Sequence, residues 1–399
     1  MEAFPNLPVT PRVLDLFCGI GGLSLGLHRA GLDSIGGVDN WEEAAATFAH
    51  NLAPNRCLVS DLTRTTVGEV ERFFDVRAAD IDVIAGGPPC QGFSTIGKRD
   101  LKDPRNVLWE HYRDFVAEVR PSYVVIENVE GMAVAGVVDG VIEAFDLIGY
   151  KMKARVLVAA DYGVPQLRKR LIFLGWLKGL QEPDFPEPSG SALVSVGEAI
   201  FDLPALKSGE RKTEYAQPPT NPYQEARRKD CTVLHNHEAA NHPPALVEVI
   251  SHVPDGGNRK SIPDHLQPKS GFHNSYARLA SWKPAVAVTS NMRKPSSARA
   301  THPTQHRGLT VREGLRLQTF DDDFVVLGSR TSQYLQVGNA VPPLLGEVVG
   351  REVLKAFRAS KTLQLAAAQA NEPLSFTDGV VREKVPVAHP RQSELAFPA

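Results

Sequence analysis

Three short segments of this sequence combine residue types that could do chemistry. Gly86-Gly87-Pro88-Pro89-Cys90-Gln91-Gly92-Phe93-Ser94 closes an apolar run with a loop stiffened by two prolines, and a thiol stands at its tip. A free thiol has a pKa near ~8.5, so a nucleophilic cysteine here needs local help to become a thiolate. The competing reading is an inert, buried cysteine. Tyr123-Val-Val-Ile-Glu127-Asn128-Val129 ends a second apolar run in a carboxylate. Such a group is poorly solvated and could share a proton with a bound base or carbonyl; it could also cap a neighbouring helix. Gln166-Leu-Arg168-Lys-Arg170 spaces two guanidinium groups by two residues, which puts both on one side of an extended chain. They read as surface charge or as donors to an anionic or carbonyl-rich ligand.

Two glycine-bearing segments could hold a cofactor. Asp15-Leu16-Phe17-Cys18-Gly19-Ile20-Gly21-Gly22 follows a first apolar run, where glycines let the backbone approach a ligand. A dinucleotide fingerprint would need glycine at Ser24, so the loop is of a nucleotide type without being a good NAD loop. A turn used only for packing is the alternative. Asp39 ends the next run, where a ribose hydroxyl could bind, and Asp61 lies where an adenine amino group could donate. Gln336-Val-Gly338-Asn339-Ala340-Val341-Pro342-Pro343 reads as a tight turn into a last helix. Gly92 to Lys98 mimics a phosphate loop, but Arg99 replaces the hydroxyl that would bind magnesium, which argues against an NTPase.

Positioning these loops requires strands that end where they begin. Apolar runs at 13–17, 34–39, 81–86 and 123–128 alternate with helical patterns at 22–30, 41–51, 105–119 and 137–148. Further strands are expected at 155–159 and 170–176. This alternation predicts an α/β fold with a mostly parallel sheet, whose ligands sit at the carboxyl ends of the strands. From about 177 prolines punctuate a polar, basic stretch, read as a smaller irregular domain. Thr310-Val-Arg-Glu313 is a capping box opening a helix, and 342–359 reads as a closing helix. The expected division is a main α/β part over 1–178, a smaller irregular part over 179–305, a stretch at 306–359 completing the first part, and 360–399 a mobile tail.

Composition bounds the partners. The chain has 399 residues with 42% hydrophobic and 23% charged residues, ordinary for a globular protein. No apolar run approaches the ~20 residues of a membrane span, and the first residues lack a secretory pattern. Four dispersed cysteines without a CxxC argue against a disulfide scaffold or structural zinc and for a reducing cytoplasm. The net charge of −2 speaks mildly against nucleic acid, yet it is segregated. Residues 206–312 hold 16 Lys/Arg and 8 Asp/Glu, a net +8, which leaves −10 for the rest.

Taken in order, these segments resemble the DNA (cytosine-5)-methyltransferases of bacterial restriction-modification systems. Asp15–Gly22 is similar to the family's first motif, Pro88-Pro89-Cys90-Gln91 to its nucleophile motif, and Glu127-Asn128-Val129 to its ENV motif. Gln166-x-Arg168-x-Arg170 is similar to QxRxR, and His306-Arg307 through Phe320 to the ninth motif. Gln336-x-Gly338-Asn339 with Pro342-Pro343 resembles the tenth. The resemblance covers about 1–176 and 275–358.

It implies a Rossmann-like methyltransferase sheet with helices on both faces and a smaller irregular target-recognition domain. It implies S-adenosylmethionine held by Phe17, Gly19, Ile20, Gly21, Gly22, Leu23, Asp39, Asn40, Asp61, Leu62, Pro88, Asn339 and Ala340, with no metal. Catalysis would fall to Cys90 as nucleophile, Glu127 on the cytosine N3/N4 edge, Arg170 on O2, and Arg168. Double-stranded DNA would meet Gln91, Ser94 and Asn128, with Arg307 bracing the DNA domain or the nucleophile loop; within the basic insert the candidate base readers are Arg227, Arg228, Asn258, Arg259 and Arg293. The implied reaction is transfer to C5 of a flipped cytosine through a Cys90–C6 adduct, by a cytoplasmic monomer acting beside a cognate endonuclease or defence proteins.

There are departures. Asp39 stands where the family usually has Glu, Asn40 where an aromatic or apolar residue is usual, and Asp321 where it usually has Pro. An RNA methyltransferase on the same scaffold, or an inactive DNA-binding protein, are the alternatives. Gly92-Phe93-Ser94 after the cysteine and the long basic insert oppose the first, and the intact Cys90, Glu127 and arginines oppose the second.

Overall fold

The computed structural model describes residues 10–52, 56–89, 107–134, 137–229, 231–268, 274–297, 299 and 301–369. Its strands are β1 Arg12–Leu16, β2 Asp33–Asp39, β3 Cys57–Val59, β4 Val83–Gly86, β5 Tyr123–Val129, β6 Tyr150–Val158, β7 Gln166–Leu167, β8 Lys169–Leu177 and β9 Ala285–Val286. The helices of the first half are α1 Gly22–Arg29, α2 Glu42–Asn51, α3 Val67–Phe74, α4 Val107–Val119, α5 Gly131–Val134 and α6 Val137–Leu147. The second half adds α7 Val196–Ile200, α8 Pro222–Arg228, α9 Pro244–Ser251, α10 Val311–Leu317, α11 Arg330–Asn339 and α12 Pro343–Gln369.

Seven strands form one sheet in the order β3-β2-β1-β4-β5-β8-β6. Pairs from β3 to β5 are parallel, while β8 runs antiparallel to both β5 and β6. Because strand side chains alternate, the central strands bury residues on both faces, which is why they read as unbroken apolar runs. Leu14, Leu16, Ile84, Val124 and Ile126 pack with Val70, Phe115, Val116 and Phe145 of α3, α4 and α6. Val13, Val83, Ala85, Tyr123 and Val125 pack with Leu23 and Leu27 of α1 and Leu345, Val349, Val353 and Phe357 of α12. The strand order reverses at β1 and β4, so the crevice between their carboxyl ends is where this architecture binds ligands.

The second half builds a third core. Val196, Leu234, Leu279, Val288, Leu309, Leu315, Phe320 and Val337 share it with Ile20 and Ala44 of the first half. Packing therefore runs continuously across the expected boundary at 305/306. The two-stranded pairing of β7 with β9 joins the halves again.

Several expectations need correction. The closing helix continues past 359 to Gln369, so 360–369 is not a tail; residues 370–399 lie outside the described part. Ser360 is buried, sits 2.9 Å from the Tyr123 hydroxyl and accepts the Gln181 N–H. β6 begins at Tyr150, five residues before the expected strand. Gln336 to Asn339 are the end of a helix, α11, not only a turn. The sequence reading has no counterpart of α3, a helix opened by the Thr66 hydroxyl accepting the Glu69 N–H.

Candidate active site and the arginine layer behind it

The glycine loop leaves β1 and enters α1. Asp39, at the end of β2, fixes it: Oδ2 accepts the Gly19 N–H at 2.8 Å and Oδ1 accepts the Trp41 N–H at 2.9 Å. Burial pushes the Asp39 carboxyl up, while these N–H groups pull it down. A carboxylate has about four acceptor positions, so Asp39 keeps capacity for a ligand hydroxyl. Gly22 is required by close approach, since a Cβ there would lie 2.1 Å from the Val341 carbonyl oxygen. The Asn339-Ala340-Val341 turn is thereby pressed onto the glycine loop from the far end of the chain. Ile20, Gly21 and Leu23 are buried, and Phe17 turns the chain with φ 60°. Asp61 is held low first by the Thr63 N–H, at 3.0 Å, and Leu62 is buried beside it. Asn40 is exposed.

Glu127 ends β5. Its Oε1 lies 2.6 Å from Arg170 Nε on the adjacent antiparallel strand β8. The counter-charge that a desolvated carboxylate needs thus comes from the next strand. Asn128, one residue on, faces the other way and is buried. The expectation that it touches DNA is corrected: its Nδ2 donates to the Pro88 carbonyl at 2.8 Å and anchors the chain just before Cys90. Cys90, Gln91 and Ser94 lie outside the described residues.

Arg168 also departs from expectation. Its neighbour Arg170 faces Glu127, but Arg168 is buried and spent on main chain: Nη1 donates to Val288 O at 2.9 Å and Nη2 to Gly338 O at 3.2 Å. It braces the site and does not act in it.

A layer of buried arginines lies behind the turn. Arg307, Arg312 and Arg316 have no exposed surface. Arg307 grips Glu313 at 2.6 and 2.8 Å, so it cannot contact a duplex directly and acts as a brace. Burial works to raise the Glu313 carboxyl, but Arg307's charge and hydrogen bonds outweigh it and hold it well below the ordinary range. Arg316 pairs with Asp202 and Asp322, and Arg312 lies 3.6 Å from Asp322. At Asp321, the residue standing where the family usually has Pro, Arg29 of α1, Arg227 and Lys229 all converge.

That convergence claims one expected DNA contact, Arg227. Arg227 is held by Asp321 and by the Thr319 carbonyl, 2.6 Å away. Arg228 lies 3.6 Å over the Tyr215 ring and donates to Gln217 O. Arg259 donates to Pro268 O, and Arg293 lies 5.7 Å over Tyr334; both retain partial exposure. The net +8 of 206–312 is therefore not all available to phosphates, because Arg278, Arg307 and Arg312 are buried.

The C-5 cytosine-specific DNA methylase family matches residues 11–355, which spans both halves and every segment of the site. The chain belongs to this family. As a DNA cytosine-5 methyltransferase it is 41% identical over 348 residues to type II methyltransferase M1.HphI of Haemophilus parahaemolyticus, covering 86% of each chain. It is 36% identical over 374 residues to type II methyltransferase M.DdeI of Desulfomicrobium norvegicum, covering 86% of this chain and 88% of that one. Among solved structures, a DNA modification methyltransferase encoded within an E. coli prophage superposes with a TM-score of 0.72 at 25% identity, over 87% of this chain and 99% of that one. The methyltransferase family implies use of S-adenosylmethionine. No helix among the described residues is long and apolar enough to cross a membrane.

Proposed function

We propose that this methyltransferase modifies C5 of a cytosine flipped out of a specific double-stranded DNA sequence, and that it protects host DNA beside a cognate restriction endonuclease. The observation carrying this reading is the Glu127–Arg170 pair, 2.6 Å apart, on the strand end next to the anchored root of the Cys90 loop. The type II methyltransferase names of M1.HphI and M.DdeI support the host-protection part.

The cofactor fits the residues present. Asp39 retains acceptor capacity for a ribose hydroxyl, Asp61 has an oxygen beyond the one held by Thr63, and Val341, two residues after the exposed Asn339, closes onto the glycine loop. When bound, S-adenosylmethionine supplies an electrophilic methyl group. Cytosine C5 is too weak a nucleophile by itself. Addition of the Cys90 thiolate to C6 breaks the C5–C6 double bond and loads C5 with electron density. Glu127 hydrogen-bonds or protonates N3, and Arg170 donates to O2, so that the charge developing in the ring is met by fixed groups. Loss of the C5 proton and departure of the Cys90 sulfur restore the ring. The target atoms are buried in a stacked duplex, so flipping costs a few kcal/mol, which basic surface of the insert helps to repay.

Incubation with tritiated S-adenosylmethionine and a mixture of duplex DNA and tRNA tests the reading. Label should enter DNA and be alkali-stable 5-methylcytosine. Label in tRNA alone would replace it with an RNA methyltransferase, and label in neither with an inactive binding protein. Bisulfite sequencing of an expressing host then reads the modified site.

A further inference from the structure

The segments joining the recognition insert to the cofactor turn are linked by three buried polar side chains that the chemistry above leaves without a task. Gln166 is fully buried, and every position of its amide that the structure fills is an inter-segment bond. Its Nε2 donates to the Leu317 carbonyl at 2.7 Å and to Gln318 Oε1 at 2.8 Å, and its Oε1 accepts the Val288 N–H at 3.0 Å. Gln318, also fully buried, continues the line: Nε2 donates to the Val337 carbonyl at 2.8 Å and to the Ala340 carbonyl at 3.2 Å. Arg168 closes the circuit by donating to Val288 O and Gly338 O.

The residues at the two ends are the informative part. Val288 lies two residues after β9, where the chain returns from the basic insert, and both its N–H and its C=O are held from the catalytic side. Val337, Gly338 and Ala340 flank Asn339 and give up their carbonyls to the same network. The contact is tight as well as polar, because a Cβ on Gly338 would lie 2.1 Å from the Ser290 nitrogen. Arg168 is two residues from Arg170, so the same strand entry also sets the guanidinium that faces Glu127. Buried amides with all partners supplied fix one geometry, since each alternative leaves a desolvated donor or acceptor unpaired.

We infer that Gln318, Gln166 and Arg168 are positioning residues with divided labour. Gln318 sets the Asn339 turn for the cofactor, Gln166 sets the register of the insert against the Glu127 site for DNA, and Arg168, on Val288 O and Gly338 O, ties the two. This rests on the reading that the Asn339 turn holds the cofactor.

The test uses the full chain, with S-adenosylhomocysteine as the unreactive probe of cofactor affinity and steady-state constants for S-adenosylmethionine and DNA. Gln318→Met keeps the length and removes both donors. It should weaken S-adenosylhomocysteine at least tenfold and raise KM for S-adenosylmethionine alike, with KM for DNA changed less than threefold. Gln166→Met leaves Gln318 on its carbonyls, and should raise KM for DNA fivefold or more while KM for S-adenosylmethionine moves less than threefold; Arg168→Lys, which loosens both ends, should raise both constants. Loss of folding alone would not produce opposite splits. Equal changes in both constants for all the variants, or unchanged cofactor affinity in folded Gln318→Met, overturn the assignment. Should Gln318→Met not fold, the split in Gln166→Met, set against the joint rise in Arg168→Lys, decides it. Asn339→Ala separates the two levels. If it weakens the probe and Gln318→Met does not, the inference fails and the cofactor reading stands; if neither does, the cofactor reading fails as well.

Discussion

Glu127 and Arg170 at the strand ends retain 11% and 15% of their side-chain exposure, while Arg316, Asp202 and Asp322 in the layer behind them retain none. Both regions are built from arginine and carboxylate, and the arginine of each, Arg170 and Arg316, lies in a segment that the resemblance singles out. The difference in access assigns different work. The strand-end pair has an open side, so a third polar group, the edge of a base, can join it. In the buried layer Arg316 already has two carboxylates and the Ala199 carbonyl, which leaves no room for a ligand. A charged pair becomes a reaction site when it is left one partner short, and a structural element when it is complete.

The comparison can be broken by removing one group from each region. On the reactive side, Cys90→Ala should abolish transfer and leave S-adenosylhomocysteine binding intact; undiminished transfer would remove Cys90 as the nucleophile. Glu127→Gln keeps the shape and removes the charge. It should cut kcat by about 10²–10³-fold, equivalent to ~3–4 kcal/mol of transition-state stabilisation, while the thermal midpoint moves little. Arg316→Met should do the reverse. It strands Asp202 as an unpaired buried carboxylate and leaves Asp322 only Arg312 and the Tyr215 hydroxyl, at a cost of roughly 3–5 kcal/mol in urea denaturation. Any folded fraction should turn over normally per active site. If Arg316→Met lowers kcat at constant stability, the division between the regions is wrong.

The pH response sharpens the same contrast with a smaller effect. His302 packs against the Glu313–Arg307 pair, 3.7 Å from Glu313 Oε1, and burial pushes it down to about 3. Its folded pKa is thus below the ordinary value of 6.5. The unfolded chain binds a proton that the folded chain refuses, so this contribution is complete above about pH 6.5 and is lost as pH falls toward 3. Each such histidine steepens the loss by up to ~1.4 kcal/mol per pH unit. His237 and His242 are also pushed down by burial and add to the slope. Glu313 has the same sense by another route: held below its unfolded value, it stabilises above that value and ceases to as pH falls through its folded one. Stability should therefore decline from about pH 6.5 downward, and His302→Asn should flatten the curve of urea midpoint against pH. An unchanged slope in that variant would mean that the layer is not proton-linked through His302.

Much of the first half is legible in the sequence because its signals are local. Apolar runs ending at Leu16, Gly86 and Asn128 mark buried strands, and glycine, proline and carboxylate mark the loops at their ends. Glu127 can be placed in the site from its position alone. Its partner cannot, because that pairing depends on the antiparallel register of β8 against β5. The alternation that puts Arg168 beside Arg170 on paper fails for a physical reason: β7 and β8 are separate strands, and the chain changes sheets at Arg168. In the second half the capping box of α10 and the apolar pattern of α12 are legible, but the insert between is hardly so. Its helices α7, α8 and α9 are five to eight residues long, so each depends on tertiary contacts for its stability. The positive charge of 206–312 is sound as a count, but composition does not record burial. Arg307 and Arg312 look like any other arginines until their carboxylate and carbonyl partners, at times tens of residues away, are in view.

The smallest expected effect tests this last point inside the insert itself. Arg227 and Arg293 are alike in sequence, each a basic residue of the +8 segment. Arg227 is claimed by Asp321 and the Thr319 carbonyl, whereas Arg293 has an aromatic face, Tyr334, and no carboxylate partner among the described residues. A guanidinium already neutralised by a carboxylate releases no counterion when DNA arrives, and one that neutralises a phosphate does. Arg293→Ala should therefore weaken DNA binding by about 1 kcal/mol and lower the slope of log affinity against log salt by about one. Arg227→Ala should leave that slope unchanged, and any loss should appear instead as lower stability from the vacated Asp321. Titrating both variants with duplex DNA at several salt concentrations separates the outcomes. Equal slope changes would mean that the ion pair at Asp321 opens on binding and that its arginine is shared with the DNA.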